Sequence, residues 1–406
     1  MRVCVIYDCL FPYTVGGGER WYRNLAERLA ADGHDVTYLT LRQWKRGERA
    51  DAGAGVRVRV AGPRMALYTE SGRRRILPPL VFGAGVLWHL LRHGRRYDVV
   101  HTSSFPYFSL LAAALVRRFA GYALIVDWFE VWSRAYWRDY LGGARGRFGA
   151  LIQRGCAHVR QHAFCFSELH AARLREEGLR GEVTVLRGLY VAAAEPDGER
   201  AEPADVDAAG PIALFAGRLI PEKQATLGVE AIAIARERIE GLQGLFFGDG
   251  PERDELVAAI AEHGLAGAVS APGFADAATL DAEMRRALCL LLPSRREGYG
   301  LVVVEASARG TPSVVVAGED NAATELIDEG VNGTVAERGD AESLAAAIVR
   351  VHEAGPALRQ STVGWFAEHA RELSLEHSVR IVLESYGGGA PIASGKPSAP
   401  QSSARR

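Results

Sequence analysis

The sequence predicts an α/β protein with two domains, each built around a parallel sheet. Short apolar runs alternate with amphipathic stretches along the whole chain, which is the pattern of parallel strands joined by crossover helices. The chain has 406 residues, of which 48% are hydrophobic, and this is enough for two domains with sizeable cores. Residues 191–210 are polar, acidic and proline-bearing, so they predict a linker between domains at 1–190 and 211–372.

The individual elements follow from the apolar runs and their turn signals. In the first domain, residues 19–31 predict a helix that places Trp21, Leu25 and Leu29 on one face and ends at Gly33. The last helix is predicted at 373–386, followed by a disordered tail at 387–406 that is rich in Gly, Ser, Pro and Ala. The predicted strands are 3–7, 35–40, 97–101, 123–127, 163–167, 182–186, 212–216, 245–247, 269–270, 288–292, 313–316 and 333–336.

The most informative stretch is residues 294–305, in which a glycine-punctuated turn separates Glu297 from Glu305. An apolar strand pattern precedes the turn and a helical pattern follows it. Free backbone N–H groups where a strand leads into a helix favour phosphate, and the two carboxylates can accept hydrogen bonds from hydroxyl groups. A nucleotide sugar offers both kinds of group. The residues predicted to bind it here are Glu297, Gly298, Tyr299, Gly300, Leu301 and Glu305.

The spacing of these two glutamates resembles the signature of the retaining glycosyltransferases of family 4. Three further motifs occur in the order typical of that family: GGGER at 16–20, GRLIPEK at 217–223 and GDGP at 248–251. The resemblance covers residues 1–386. It implies the GT-B fold, in which two Rossmann-like, doubly wound domains face each other across a cleft and the last helix returns to the first domain.

The resemblance also implies roles for individual residues. Arg218 and Lys223 follow a predicted strand, where an open α/β sheet places its ligands, although a solvated loop is the alternative for such a pair. In the family the matching Arg and Lys bind the diphosphate, so no metal is expected. Glu305 is then expected at the ribose hydroxyls and Glu297 at the donor sugar. Asp249 lacks the acidic partner of an Asp-x-Asp metal site.

Glycines mark the other predicted donor contacts. Gly16, Gly17 and Gly18 follow the first strand and precede the first helix, where glycine lets the backbone approach a phosphate or sugar closely. A turn that needs positive φ is the alternative, and in the family this loop closes over the donor. Gly217 and Gly248 belong to the same predicted donor site.

The most aromatic stretch, residues 127–140, follows a strand of the first domain and predicts the acceptor site, because sugars stack on aromatic rings. The alternative is packing against a partner. The family often has a histidine after this strand, but Phe129 or Asp127 occupies that position here. The predicted acceptor contacts are His101, Asp127, Trp128, Glu130, Trp132 and Trp137.

These assignments predict a metal-independent retaining glycosyltransferase. The resemblance implies that an oxygen of the donor phosphate deprotonates the acceptor hydroxyl on the face from which the leaving group departs. The expected donor is a UDP- or GDP-sugar, and the acceptor is a carbohydrate, a lipid-linked molecule or a small molecule. One alternative is a sugar-nucleotide-binding protein with impaired catalysis. An NAD-dependent oxidoreductase lacks support, because the dinucleotide glycine fingerprint is missing.

Composition limits the other classes of partner. A net charge of −1 argues against nucleic acid as the main partner. Five scattered cysteines predict a reducing compartment, and the N-terminus predicts a buried strand rather than a signal peptide, so the cytoplasm is the expected location. Residues 73–96 combine an apolar helix with arginine-rich flanks. They predict either an ordinary packed helix or peripheral contact with the inner face of a membrane.

Overall fold

The structure, a computed structural model, describes residues 1–45, 47–69, 74–191 and 210–388. The linker predicted at 191–210 and the tail predicted at 387–406 therefore fall almost entirely outside the described residues, and the domain boundaries stay a prediction. No helix in the described part of the chain is both long and apolar enough to cross a membrane.

A seven-stranded sheet with parallel pairing throughout forms the N-terminal domain, in the order β3-β2-β1-β4-β5-β6-β7. Its strands are β1 (Arg2–Ile6), β2 (Asp35–Leu41), β3 (Val56–Gly62), β4 (Val99–Ser103), β5 (Ala123–Trp128), β6 (Arg160–Cys165) and β7 (Arg180–Val185). Strand β3 was not predicted, because its valines alternate with arginines at the edge of the sheet and only Ala61 is buried.

Six helices cover this sheet. They are α1 (Gly17–Ala31), α2 (Leu77–His93), α3 (Tyr107–Ala120), α4 (Arg134–Leu141), α5 (Gly143–Ala157) and α6 (Glu168–Glu176). Ser133 caps α4 by accepting from the N–H of Tyr136, and Ser167 caps α6 by accepting from the N–H of His170. Such caps satisfy backbone N–H groups that have no partner inside the helix.

The C-terminal domain contains a second parallel sheet of six strands, in the order β10-β9-β8-β11-β13-β15. These strands are β8 (Ile212–Ala216), β9 (Gln243–Phe247), β10 (Val269–Gly273), β11 (Cys289–Leu292), β13 (Ser313–Val316) and β15 (Gly333–Ala336). Two short strands that the sequence analysis did not predict, β12 (Arg296–Glu297) and β14 (Asp320–Asn321), pair with each other beside the sheet. Every residue of β11 and β13 is buried, as expected for central strands covered on both faces.

The helices of this domain are α7 (Ala225–Ala235), α8 (Arg253–Glu262), α9 (Ala277–Arg286), α10 (Leu301–Ser307), α11 (Ala341–Leu373) and α12 (Leu375–Gly388). Within α11 the backbone leaves helical geometry at Gly355, directly before Pro356, because the residue before proline is disfavoured in the α region. The last helix, α12, packs against α1 of the N-terminal domain. The two doubly wound sheets confirm the predicted fold class.

Candidate functional site

The candidate site lies where the order of the C-terminal sheet reverses. Strand β8 lies between β9 on one side and β11 on the other, and open α/β sheets bind ligands at the carboxyl ends of such strands. The loop after β8 contains Arg218 and Lys223, and the loop after β11 contains Glu297. The fold therefore brings together residues that are more than seventy positions apart in the chain.

Lys223 and Glu297 form an ion pair at the centre of this site. The Nζ atom of Lys223 lies 2.5 Å from Oε1 of Glu297, and the two side chains are 20% and 10% exposed. Lys223 ends a single 3-10 turn, Pro221–Lys223, and β12 holds Glu297 through its pairing with β14. Arg218, in the same loop, is exposed. The loop after β8 therefore carries two cationic groups, one of which is paired with a carboxylate.

The glycines of the C-terminal site allow loops to pass close to one another. Gly248 has φ +145°, and a Cβ atom there would collide with the carbonyl oxygen of Gly217, so only glycine fits. Gly300 has φ +98° and immediately precedes α10. A Cβ atom on Gly298 would lie 2.8 Å from the carbonyl oxygen of Phe129, which belongs to the N-terminal domain. The loop that contains Glu297, Gly298 and Gly300, which we call the glutamate loop, is therefore in contact with both domains.

The first turn of α1 faces the C-terminal site from the other domain. Gly16 precedes the helix, Gly17 begins it, and a Cβ on Gly18 would lie 2.8 Å from the hydroxyl of Tyr7. Burial raises the pKa of Glu19, and the nearby charge of Arg218 opposes that rise. Burial likewise raises the pKa of Glu305, opposed by Arg309 and by Arg20 of α1.

The influence of Arg218 on the pKa of Glu19, and of Arg20 on that of Glu305, indicates that charges of the two domains interact across this site. Glu19 was not among the predicted site residues. The feature of the sequence that could have identified it is its position immediately after three glycines.

Tyr299 and Leu301, two of the predicted donor contacts, differ in burial and in hydrogen bonding. Leu301 begins α10 and is half-buried. The hydroxyl of Tyr299 donates to the carbonyl oxygen of Arg187, and its ring lies in the hydrophobic core. The Tyr299 side chain therefore connects the glutamate loop to the N-terminal domain, and the donor contact predicted for Tyr299 stays a prediction.

Arg296, next to Glu297, is held by the N-terminal domain. Its Nη1 atom donates to Oε2 of Glu130 at 2.6 Å, and its guanidinium carbon lies 4.9 Å from the ring centroid of Trp132 and 4.2 Å from that of Tyr136. The hydroxyl of Tyr136 also donates to Glu222, the neighbour of Lys223, at 2.8 Å. Residues 130–136 therefore hold both of the loops that carry the Lys223–Glu297 pair; we call this contact the interdomain clasp.

In the clasp, Glu130 and Trp132 contact Arg296, and the acceptor contact predicted for them stays a prediction. Burial raises the pKa of Glu130, but Arg296, His170 and the indole N–H of Trp132 together hold that pKa below its ordinary value. The carboxylate therefore stays charged and paired with Arg296. Sequence reasoning missed Arg296, because nothing in its local pattern shows that it meets aromatic rings from the other domain.

The remaining predicted acceptor residues are buried inside the N-terminal domain, and their contact with an acceptor stays a prediction. Trp128 is fully buried and donates to Gln161 at 2.9 Å, and Trp137 is buried and donates to Gln153 at 3.2 Å. His101 is fully buried, as is Asp127. Aromatic and β-branched residues after a strand have the same sequence pattern whether they face a cleft or the core.

His101 and Asp127 form a buried network that holds the last helix. Nε2 of His101 lies 2.8 Å from Oδ1 of Asp127, whose Oδ2 accepts from Nε1 of Trp21 at 2.7 Å. Nδ1 of His101 lies 2.7 Å from the hydroxyl of Tyr386 in α12. The network thus joins β4, β5 and α1 to the end of the described chain.

Replacing Tyr386 with phenylalanine is expected to lower the free energy of unfolding by about 1–3 kcal/mol, because a buried nitrogen of His101 loses its partner. Urea unfolding at neutral pH measures the change. The matched control is Tyr13→Phe, whose hydroxyl is at the surface, where it donates to the carbonyl oxygen of Arg49 at 3.4 Å and accepts from the backbone N–H of Asp51 at 3.3 Å. Equal stabilities for the two variants would contradict a structural role for the network.

Further contacts join the domains beside the clasp. Arg173 of α6 pairs with Asp320 of β14. The carboxylate of Glu325 accepts from the backbone N–H groups of Glu168 and Leu169, at 2.8 and 2.7 Å, at the start of α6. A carboxylate is favoured at a helix N-terminus. Within the residues that the structure describes, no group of three or more His, Cys, Asp or Glu side chains could hold a metal ion.

Comparison with known families matches both halves of the chain. The model of the Glycosyl transferase 4-like domain matches residues 16–188, and that of Glycosyl transferases group 1 matches residues 200–362. The chain belongs to the GT4-like glycosyltransferases. These two matches confirm the family resemblance that the four sequence motifs indicate.

Among relatives of this glycosyltransferase, 2-deoxystreptamine glucosyltransferase from Streptomyces kanamyceticus is 31% identical over 208 residues, 47% of this chain and 53% of the relative. The chain thus spans about half the length of that relative, and smaller shares of the next two curated relatives.

Two solved structures share the fold. Sucrose-phosphate synthase from Thermosynechococcus elongatus has a TM-score of 0.75 at 19% identity, covering 95% of this chain and 98% of that one. Anabaena HepE in complex with UDP has a TM-score of 0.70 at 19% identity, covering 96% and 100%. Both similarities support the GT-B fold for this glycosyltransferase.

Proposed function

We propose that this glycosyltransferase transfers a sugar, with retention of configuration, from a nucleotide diphosphate sugar to an acceptor hydroxyl. UDP is the nucleotide favoured by the comparisons, because HepE, which shares the fold, binds UDP. The observation that carries the proposal is the Lys223–Glu297 pair beside Arg218 at the point where the sheet order reverses.

The chemistry follows from the charges of this site. When the glycosidic bond breaks, negative charge develops on the departing diphosphate, and fixed cationic groups stabilise that charge. Arg218 and Lys223 are the cations available in the loop after β8. Glu297 orients Lys223 through the 2.5 Å contact and faces the donor sugar. Glu305 accepts from the ribose hydroxyls, and an oxygen of the donor phosphate takes the proton of the acceptor hydroxyl.

Transfer without a metal is part of the proposal, since the two cations can supply the positive charge that a divalent ion would otherwise supply. The acceptor side of the cleft is formed by the N-terminal domain near Glu19. Burial raises the pKa of Glu19 and Arg218 of the other domain opposes that rise. Glu19 is therefore a further candidate for acceptor contact, beside residues 127–137.

A catalytically impaired binding protein is the alternative, and the absence of a histidine after Val126 is the observation that favours it. Phe129 or Asp127 stands where the family often has histidine, and the ring of Phe129 stacks on Phe166 with centroids 4.7 Å apart. Hydrolysis of a radiolabelled UDP-sugar by the purified protein distinguishes the two functions, because a competent site transfers some sugar to water. Release of labelled sugar supports the transferase, and intact donor after prolonged incubation supports the binding protein.

Replacing Glu305 with alanine is expected to weaken binding of free UDP by about tenfold or more, because ribose hydroxyls are left unpaired at a cost of about 1–3 kcal/mol. Glu297→Ala should mainly lower turnover, since that residue faces the transferring sugar. Titration calorimetry with UDP measures the first effect, and steady-state rates measure the second.

The matched control is Glu255→Ala, which removes an exposed carboxylate from α8 of the same domain. It should leave both quantities unchanged. UDP binding by Glu305→Ala that equals binding by the parent would contradict the ribose assignment.

A further inference from the structure

Helices α2, α3 and α5 pack side by side on one face of the N-terminal sheet. Gly83 of α2 abuts Phe108 of α3, with room for no larger residue, and Sγ of Cys156 in α5 lies 3.9 Å from the carbonyl oxygen of Tyr107 in α3. Their inner sides, including Phe82, Leu110 and Cys156, fill one hydrophobic cluster with the strands. The three helices therefore form a continuous layer with a common outer surface.

That outer surface is apolar to an unusual degree. Large hydrophobic residues recur along it at intervals of three, four or eight residues, which aligns them on the outer side of each helix. They are between 43% and 68% exposed: Leu80, Trp88 and Leu91 of α2, Leu115 and Phe119 of α3, and Phe148 and Leu151 of α5. Contiguous exposed apolar surface of this kind marks an interaction site.

The same surface has only positive charges. The segments 77–96, 107–120 and 143–157 contain no aspartate or glutamate. Their arginines are Arg92, Arg95, Arg96, Arg117, Arg118, Arg145, Arg147 and Arg154. The guanidinium carbon of Arg92 lies 3.2 Å from the ring centroid of Trp88, and Nε of Arg95 donates to the carbonyl oxygen of Phe119 at 3.4 Å. Since the whole chain has a net charge of −1, this positive charge is local.

We propose that the outer surface of α2, α3 and α5 docks on an anionic phospholipid bilayer. Aromatic and aliphatic side chains enter the region between headgroups and acyl chains, while arginines contact lipid phosphates. A membrane offers an apolar layer and negative charge together, which is the complement of this surface. Helix α2 has only 17 residues, including Pro78 and Pro79 at its start, which is short for a helix that crosses a bilayer. In this proposal it therefore lies along the membrane surface.

Two other occupants fit less well. A second copy of the chain, related by a two-fold axis, would bring the same arginines face to face. A nucleic acid would pair with the arginines but would leave the exposed rings and leucines without apolar contacts. The proposal extends the predicted membrane segment 73–96, of which residue 73 lies outside the described residues, to α3 and α5. These helices are distant in sequence and adjacent only in the fold.

Flotation with vesicles tests the proposal directly and needs no sugar donor, so its result is independent of transferase activity. The full chain is expected to float with vesicles of phosphatidylglycerol and phosphatidylcholine in equal parts. It should float at least about tenfold less with phosphatidylcholine alone, because arginine contacts depend on anionic lipid. Each of two double variants should reduce flotation by about tenfold or more. One combines Trp88→Ser with Phe119→Ser, and the other combines Arg95→Glu with Arg118→Glu.

The matched control combines Phe274→Ser with Val257→Ser, which removes two exposed apolar residues of the C-terminal domain. It should float like the parent. Thermal unfolding and UDP binding of every variant establish that the fold is intact.

Fluorescence locates the contact. Among the seven tryptophans, all of which the structure describes, Trp88 alone is exposed. Brominated lipid should therefore quench the fluorescence of the parent, and Trp88→Phe should still float but lose the quenching. Three results would overturn the proposal: equal flotation of the apolar variant and the parent, no flotation with anionic vesicles, or a dimer in solution that the arginine variant dissociates.

Discussion

Replacing Lys223 with alanine is expected to lower kcat of sugar transfer by about 10²- to 10³-fold, which is the usual effect of removing one group that stabilises developing negative charge. Lys223 is half of the 2.5 Å pair with Glu297, and no other lysine lies in the described C-terminal domain. Its loss removes a cation from the diphosphate and leaves Glu297, only 10% exposed on its side chain, without its partner. Initial rates with a UDP-sugar donor measure the effect.

The control for this variant is Lys45→Ala, which removes an exposed lysine of the N-terminal domain and should leave kcat unchanged. The same assay in EDTA tests whether the cations act without a metal, and the parent enzyme should keep its rate. A rate lost in EDTA and restored by Mg²⁺ or Mn²⁺ would contradict metal independence. Wild-type kcat in Lys223→Ala would contradict the placement of the diphosphate.

Replacing Arg296 with alanine is expected to lower kcat by about tenfold or more while the affinity for free UDP stays nearly unchanged. The clasp holds the loops on both sides of the Lys223–Glu297 pair. Without Arg296, the Glu130 carboxyl group is left partly buried with no guanidinium partner, at a cost of about 1–3 kcal/mol to the contact between the domains. The radius of gyration from small-angle scattering should therefore increase.

The neighbouring arginine is a close control for this variant. Arg295 is 46% exposed on its side chain and lies 3.5 Å from Asp139, which is 64% exposed. Exposed pairs of this kind contribute little to stability, so Arg295→Ala should behave like the parent. If both variants lost the same activity, general loss of positive charge would explain the result, and the clasp would have no specific role in positioning the pair.

Much of the fold and part of the site follow from local pattern in the sequence. Apolar runs of the length of a buried strand, alternating with helical periodicity, predict two parallel sheets, since each strand is covered on both faces. Four short motifs in a fixed order indicate the family. They also identify Lys223 and Glu297, because the loops that follow β8 and β11 must meet at the same edge of the sheet.

Other features were decided by the tertiary structure alone. The sequence around residues 127–137 is the same whether its rings face a cleft or a core, and the structure places Trp128 and Trp137 in the core and Trp132 against Arg296. His101 meets Tyr386 across 285 positions of the chain. The cationic apolar surface exists only because three helices, separated in sequence, share one side of the sheet. Local periodicity shows which residues form a face, but only the packing of elements shows what that face contacts, since burial depends on partners that are remote in the chain.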